Sequence, residues 1–325
     1  MIATIIRAAL LALSLAPAHA GAFSLQWPVA CSLGQDCFIQ QYPDHDPGPG
    51  AVDFTCGPLS YDGHSGTDIA LPDLAAMARG VDVRAAAPGR VQVLRDGMPD
   101  IALGAPGAPV LDRNECGNAV VLDHSGGWQT LYCHMRQGSV AVQQGQEVAA
   151  GTVLGQIGLS GQTEFPHLHL GLRRDGAVVD PFAPRPGEGC GAAETGPALW
   201  SQPVPYGPGG LIALGIASAV PEFEAVKAGL PALPRLTRDL PALVIWAHLY
   251  GTKAGDSLTF SLTGPGGGIL SETVGLDRTQ ARAMRAVGRR MPPGGWPAGD
   301  YEARLTVMRS GMIKEHDSLF FTLRD

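Results

Sequence analysis

The sequence predicts a mostly β protein built of two units. Short strand-like runs recur between Gly and Pro turns in both halves, and no long stretch of the first half keeps a 3.6-residue apolar period. Between Pro184 and Pro208 the composition shifts to Pro, Gly and small residues, the signature of a linker. The expected organisation is a leader over residues 1–20, a first unit over 21–190, a linker over 191–208 and a second unit over 209–325.

The leader is read from MIATIIRAALLALSLAPAHA. Arg7 precedes an apolar run, and Ala18-His19-Ala20 offers a small-x-small cleavage site before Gly21. The run is short for a bilayer span of roughly 20 residues. A signal peptide is therefore expected, with a periplasmic or secreted product and no stable membrane insertion after cleavage. Leu211 to Val220, the other long apolar stretch, contains Gly215 and is too short to span. The whole chain carries a net charge of −7, one unit more negative once Arg7 is removed. No basic stripe is available to neutralise phosphates, which argues against a nucleic-acid partner.

Six cysteines follow the leader, with no CxxC pair to suggest a structural zinc knuckle. In an oxidising compartment they read as disulfides. Cys31 and Cys37 close the short loop SLGQD. Cys116 and Cys133 flank NAVVLDH and WQTLYCH, two strand-like runs joined by Ser125-Gly126-Gly127, so a hairpin brings them nearly opposite. Cys56 with Cys190 follows by elimination.

Further elements of the first unit are a short helical turn within Leu71 to Arg79 and strands in VDVRAAAPGRVQVL, VAVQQGQEVAAGTVLGQIG and PHLHLGLRR. The second unit offers LVIWAHLYG, DSLTFSLTG, ILSETVGL, YEARLTVM and SLFFTLRD, spaced as in a small antiparallel sandwich of immunoglobulin-like type without its own cysteine bridge. Trp246 reads as sandwich core. Asp44-His45-Asp46-Pro47-Gly48-Pro49-Gly50 lacks the spacing and the Glu of a calcium loop and reads as a rigid surface loop. His124 reads as a turn residue, while His248 and His316 have no metal-like company.

The chemistry concentrates in three runs. In Phe165-Pro166-His167-Leu168-His169-Leu170-Gly171-Leu172, strand alternation puts the imidazoles of His167 and His169 on one face and the leucines on the other. Two such imidazoles can share a metal, or one can bind it while the other handles protons. An HxH alone is common by chance and needs a partner. That partner is Gly63-His64-Ser65-Gly66-Thr67-Asp68, where the glycines favour a tight loop running into a strand over a helix. Alone, Asp68 would pass for a turn carboxylate bonded to backbone amides. Two histidines and a carboxylate, however, form a three-ligand zinc set with one position open for water, the arrangement of a catalytic site. His134, in Leu131-Tyr132-Cys133-His134-Met135, is ordinary by itself and becomes a candidate for proton transfer or oxyanion binding beside such a site.

In their order, HSGTD, LYCHM and HLH, the three runs resemble the lysostaphin-like (LytM-type) zinc endopeptidases of the cell wall. The likeness covers about Tyr61 to Pro181. It implies an antiparallel β-sheet peptidase fold for the first unit, one zinc ion held by His64, Asp68 and His169, and His134 and His167 as catalytic histidines. It also implies peptidoglycan as substrate. The run GLSGQTEFPHLH and the insertion-like stretch from Asp96 to Cys116 depart from the family pattern. Some relatives of this kind serve as non-catalytic scaffolds that bind wall or activate an amidase. Retention of all five residues favours catalysis, with the sandwich as the candidate surface for a protein partner.

Overall fold

The computed structural model describes residues 22–184, 190–191, 197–232 and 236–324. The leader expected over residues 1–20 lies outside them. The described part is mostly β, and none of its helices is long and apolar enough to cross a membrane.

The first unit contains β1 (Phe38–Gln41), β2 (Gly66–Ala70), α1 (Leu74–Arg79), β3 (Asp82–Arg84), β4 (Gly89–Arg95), β5 (Asn118–Asp123), β6 (Trp128–Met135), β7 (Glu147–Val148), β8 (Val153–Gln156), β9 (His167–Arg174) and β10 (Ala177–Val178). Eight of these strands form one sheet in the order β1-β2-β9-β6-β5-β4-β7, with β10 also on β9, and β3 pairs with β8. The helical turn starts at Leu74, two residues past Pro72, where the Asp73 carboxylate accepts from the Ala76 N–H at 2.6 Å and caps it. The β5–β6 hairpin turns through Gly126 and Gly127, both at positive φ, and Cys116–Cys133 closes its open end. Cys31–Cys37 and Cys56–Cys190 are likewise bonded.

The alternation of β9 sets the layout. Leu168, Leu170 and Leu172 are buried in the first core with Val120, Leu122 and Tyr132. Each buried leucine contributes about 1.5–3 kcal/mol. His167 and His169 are thereby turned to the other face.

The second unit contains β11 (Gly210–Ala217), α2 (Phe223–Ala228), β12 (Ala242–Thr252), β13 (Ser257–Gly264), β14 (Gly267–Gly275), β15 (Gln280–Arg290), β16 (Gly299–Arg309) and β17 (Met312–Leu323). They form two antiparallel sheets, β11-β12-β15 and β14-β13-β16-β17. A second core includes Leu214, Ile216, Leu243, Ile245, Leu258, Phe260 and Leu305. Trp246 is buried, as its sequence context suggests. The stretch read as a linker also contributes to packing: Trp200 joins the first core and pairs with Leu25, and Tyr206 donates to Asp53 at 2.7 Å.

Candidate metal centre

Strand register assembles the site. In the β2–β9 pair Asp68 lies directly opposite His169, and in the β6–β9 pair Cys133 flanks His169 on the other side. Directly opposed residues share a face with Cβ atoms about 4.5–5.5 Å apart. Asp68 therefore meets His169 because Thr67 and Ile69, its neighbours along β2, face the leucine side. Gly66, opposite Gly171, leaves room for the imidazole: a Cβ there would stand 2.5 Å from His169 Nε2. The glycine of HSGTD is thus a space requirement of the site.

His64 comes from the loop before β2. Its Nδ1–H donates to the Tyr42 carbonyl at 2.7 Å, which turns Nε2 inward to 3.1 Å from Asp68 Oδ1 and 3.2 Å from His169 Nδ1. His169 Nδ1 stands 2.9 Å from the same carboxylate oxygen. The loop is held by Asp44, which accepts from the N–H groups of Asp46, Val52 and Gly63, so the DHDPGPG run folds on its own carboxylate and braces His64. Tyr61 stacks on the His64 ring with centroids 4.3 Å apart and forms a half-exposed rim.

The two remaining histidines stand beside this trio. His134 is the penultimate residue of β6 and has φ 60°, a left-handed conformation that costs a non-glycine residue on the order of 1 kcal/mol and persists where surroundings impose it. Here its N–H donates to Cys116 O at 2.8 Å, and its carbonyl accepts from Gly158 N at 3.0 Å. Strict alternation after Cys133 would send this side chain to the leucine face. The break returns it to the site, with its ring 4.6 Å from His167 and 6.0 Å from His169. His134 Nδ1–H donates to Ser160 O at 2.8 Å. His167 Nδ1 faces Phe165 O and Thr163 Oγ1 at 3.0 and 3.1 Å, leaving Nε2 3.5 Å from Asp68 Oδ1.

The stretch from Asp96 to Cys116 explains how those carbonyls are fixed. Asp100 accepts from Leu159 N and Gln137 N, Leu103 N donates to Thr163 O, and Gln162 N donates to Glu115 O. The insertion is a brace for residues 158–163, which orient both His134 and His167.

Electrostatically the centre favours positive charge. Burial pushes Asp68 upward, but the surrounding imidazoles of His64, His167 and His169 hold it well below the usual carboxylate range. Burial lowers His64, yet Asp68 outweighs it and the net shift is upward. Burial and neighbouring imidazoles hold His134 well below its ordinary value, and burial also lowers His169. Two imidazole nitrogens and one carboxylate oxygen thus converge, with ligand atoms of His64, Asp68 and His169 all within 4.8 Å of one another. Ligands about 2.0–2.1 Å from a tetrahedral zinc lie roughly 3.3 Å apart, close to the separations here. The group could hold such an ion.

All five residues singled out in the sequence meet at this centre. Sequence reasoning missed the backbone carbonyls of Tyr42, Ser160 and Phe165, together with Thr163, Tyr61 and the bracing role of Asp44. Carbonyl direction leaves no mark in a sequence; only Gly63 and Gly66 pointed to a tight loop there.

Over 67 residues the chain is 42% identical to the DD-carboxypeptidase/endopeptidase Mpg of Neisseria meningitidis, covering 21% of this chain and 15% of that protein. Over 76 residues it is 36% identical to the peptidoglycan DD-endopeptidase ShyA of Vibrio cholerae, covering 23% and 17%. The matched part thus spans less than a fifth of those relatives. Among solved structures, the catalytic domain of lysostaphin from Staphylococcus simulans superimposes with a TM-score of 0.28 at 21% identity, covering 44% of this chain and 86% of that one. Residues 62–181, the stretch that contains His64, Asp68, His134, His167 and His169, match the model of Peptidase family M23.

Proposed function

We propose that the protein is an exported zinc metalloendopeptidase that hydrolyses peptide bonds in the cross-links or stem peptides of peptidoglycan. The observation that carries this reading is the convergence of His64, Asp68 and His169 ligand atoms beside two further histidines whose Nδ1 atoms are committed to backbone carbonyls. His64, Asp68 and His169 are the proposed zinc ligands. Zinc in such a set supplies a Lewis acid that polarises a carbonyl and acidifies water.

The residues of the chain then divide the proton work. His167, held through Nδ1, presents a bare Nε2 and takes the proton of the attacking water. His134 stabilises the oxyanion that develops on the scissile carbonyl. Because its Nδ1–H is already given to Ser160 O, His134 must carry a second proton on Nε2 for this role.

The test is purified protein on isolated sacculi, with and without a chelator, reading stem-peptide ends. Zinc-dependent release supports the proposal, whereas intact sacculi with zinc bound would turn it into a wall-binding or amidase-activating scaffold. His167→Ala is expected to keep one zinc and lose hydrolysis. Loss of zinc from that variant would make His167 a ligand and overturn the division of roles.

A further inference from the structure

The second unit reaches the wall of this centre through one side chain. Arg282, on β15, lies with its guanidinium carbon 4.2 Å above the centre of the Phe165 ring and 5.5 Å from that of Phe38. Its Nε donates to Gln40 Oε1 at 3.0 Å and a terminal nitrogen to Leu71 O at 3.4 Å. Gln40, fully buried on β1, returns a bond from Nε2 to Ala281 O at 2.8 Å. The direct contacts of the guanidinium are thus neutral, a carboxamide, a carbonyl and two aromatic faces, with the Asp73 carboxylate near enough to favour its charge.

Those partners belong to the segments that carry the site. Gln40 lies on the strand paired with β2, which bears Asp68, and Leu71 follows the end of β2. Leu71 N–H in turn donates to Pro166 O, just ahead of β9. Phe165 is the direct link. Its carbonyl faces His167 Nδ1 at 3.0 Å, and its ring lies 4.6 Å from the His167 ring, so one aromatic side chain is contacted by both Arg282 and His167.

We propose that Arg282 is a positioning residue for His167, supplied by the second unit: it clamps Phe165 by a cation–π contact and so fixes the tautomer and tilt of the His167 imidazole. The inference deepens the peptidase reading and gives the accessory unit a part in the chemistry. A planar guanidinium can stack on the ring while its edge bonds Gln40 and Leu71, which an ammonium cannot do. A small misplacement of a catalytic group is enough to slow turnover by one or two orders of magnitude.

Arg282→Met keeps most of the stem and removes the charge and the hydrogen bonds. On sacculi it is expected to lower kcat on the order of tenfold with KM and zinc content unchanged. Arg282→Lys restores only part of the rate. The independent reading is nitrogen-15 NMR of the histidine rings. In the wild type His167 gives one Nδ1–H tautomer; in Arg282→Met its signals broaden or shift toward mixed tautomers, while those of His64 stay in place. Phe165→Leu should reproduce the effect, and the double variant should be no worse than either single one. Wild-type His167 signals in a folded Arg282→Met would overturn the proposal, as would additive losses in the double variant. If the wild type leaves sacculi intact, the peptidase reading fails by itself, and the ring signals still decide whether Arg282 positions His167.

Discussion

Two buried histidine environments in this molecule are treated in opposite ways. In the first unit His64, His134 and His167 each give Nδ1 to a fixed acceptor and turn Nε2 toward a common centre. In the second, His248 is equally hidden, packs edge-on against Phe223 with ring centroids 5.3 Å apart, and has a buried Nε2 without a partner among the described residues. Burial alone therefore does not mark a site. Convergence does: lone pairs aimed at one point around a buried carboxylate create a demand for positive charge, whereas a solitary imidazole in a core is held neutral.

The strongest way to break the contrast is to remove the carboxylate at the centre. Asp68→Ala takes away one of three candidate ligands and the charge that raises His64. Zinc content measured by atomic absorption is expected to fall from one per chain to near none, and hydrolysis by on the order of a thousandfold or more. Full zinc content in this variant would show that the three ligand atoms converge for another reason.

A milder change tests the space around a ligand without touching the ligand itself. Gly66→Ala places a methyl group against His169 Nε2 and Cε1 and 2.8 Å from the Leu170 carbonyl oxygen, so the imidazole must move and the β2–β9 pairing must give with it. Zinc affinity by competition with a chromogenic chelator should weaken roughly 10- to 100-fold, as for other groups that orient a metal ligand. An unchanged affinity would mean that the ring has slack that the close β2–β9 pairing does not suggest.

Gly66 also shows which parts of the molecule could be read in advance. The leucines of β9, alternating with His167 and His169, announce both the buried face and the site face, and the HSGTD run announces its partner. The Cys116–Cys133 hairpin was legible for the same reason: its turn residues and strand period agree. β15 was not, since QARAMRAVGRR is rich in helix formers and becomes a strand because ten of its residues pair with β12. Nor was the bracing of His134 and His167, which depends on carbonyls of residues 160 and 165. Arg282 and Phe165 lie far apart in the chain, and only the packing of the two units brings them together.

The smallest expected effect on the centre comes from the histidine outside it. Burial pulls His248 down to about 3, helped by the charges of Arg282 and Lys227. Its folded pKa thus lies below the unfolded value near 6.5. The unfolded chain binds the proton first, so the contribution of neutral His248 is complete above pH 6.5 and is lost as pH falls toward 3. Within that window each pH unit removes up to about 1.4 kcal/mol of stability from this group. His248→Leu should flatten that part of the curve in urea denaturation between pH 4 and 7, through its midpoint at each pH, and leave zinc content and hydrolysis at pH 7 unchanged. If His248→Leu altered zinc binding, the two environments would be coupled through Arg282 more tightly than the neutral contacts of that arginine imply. If the pH curve kept its slope, the proton would find a partner in the fold and His248 would not be the solitary imidazole that its packing describes.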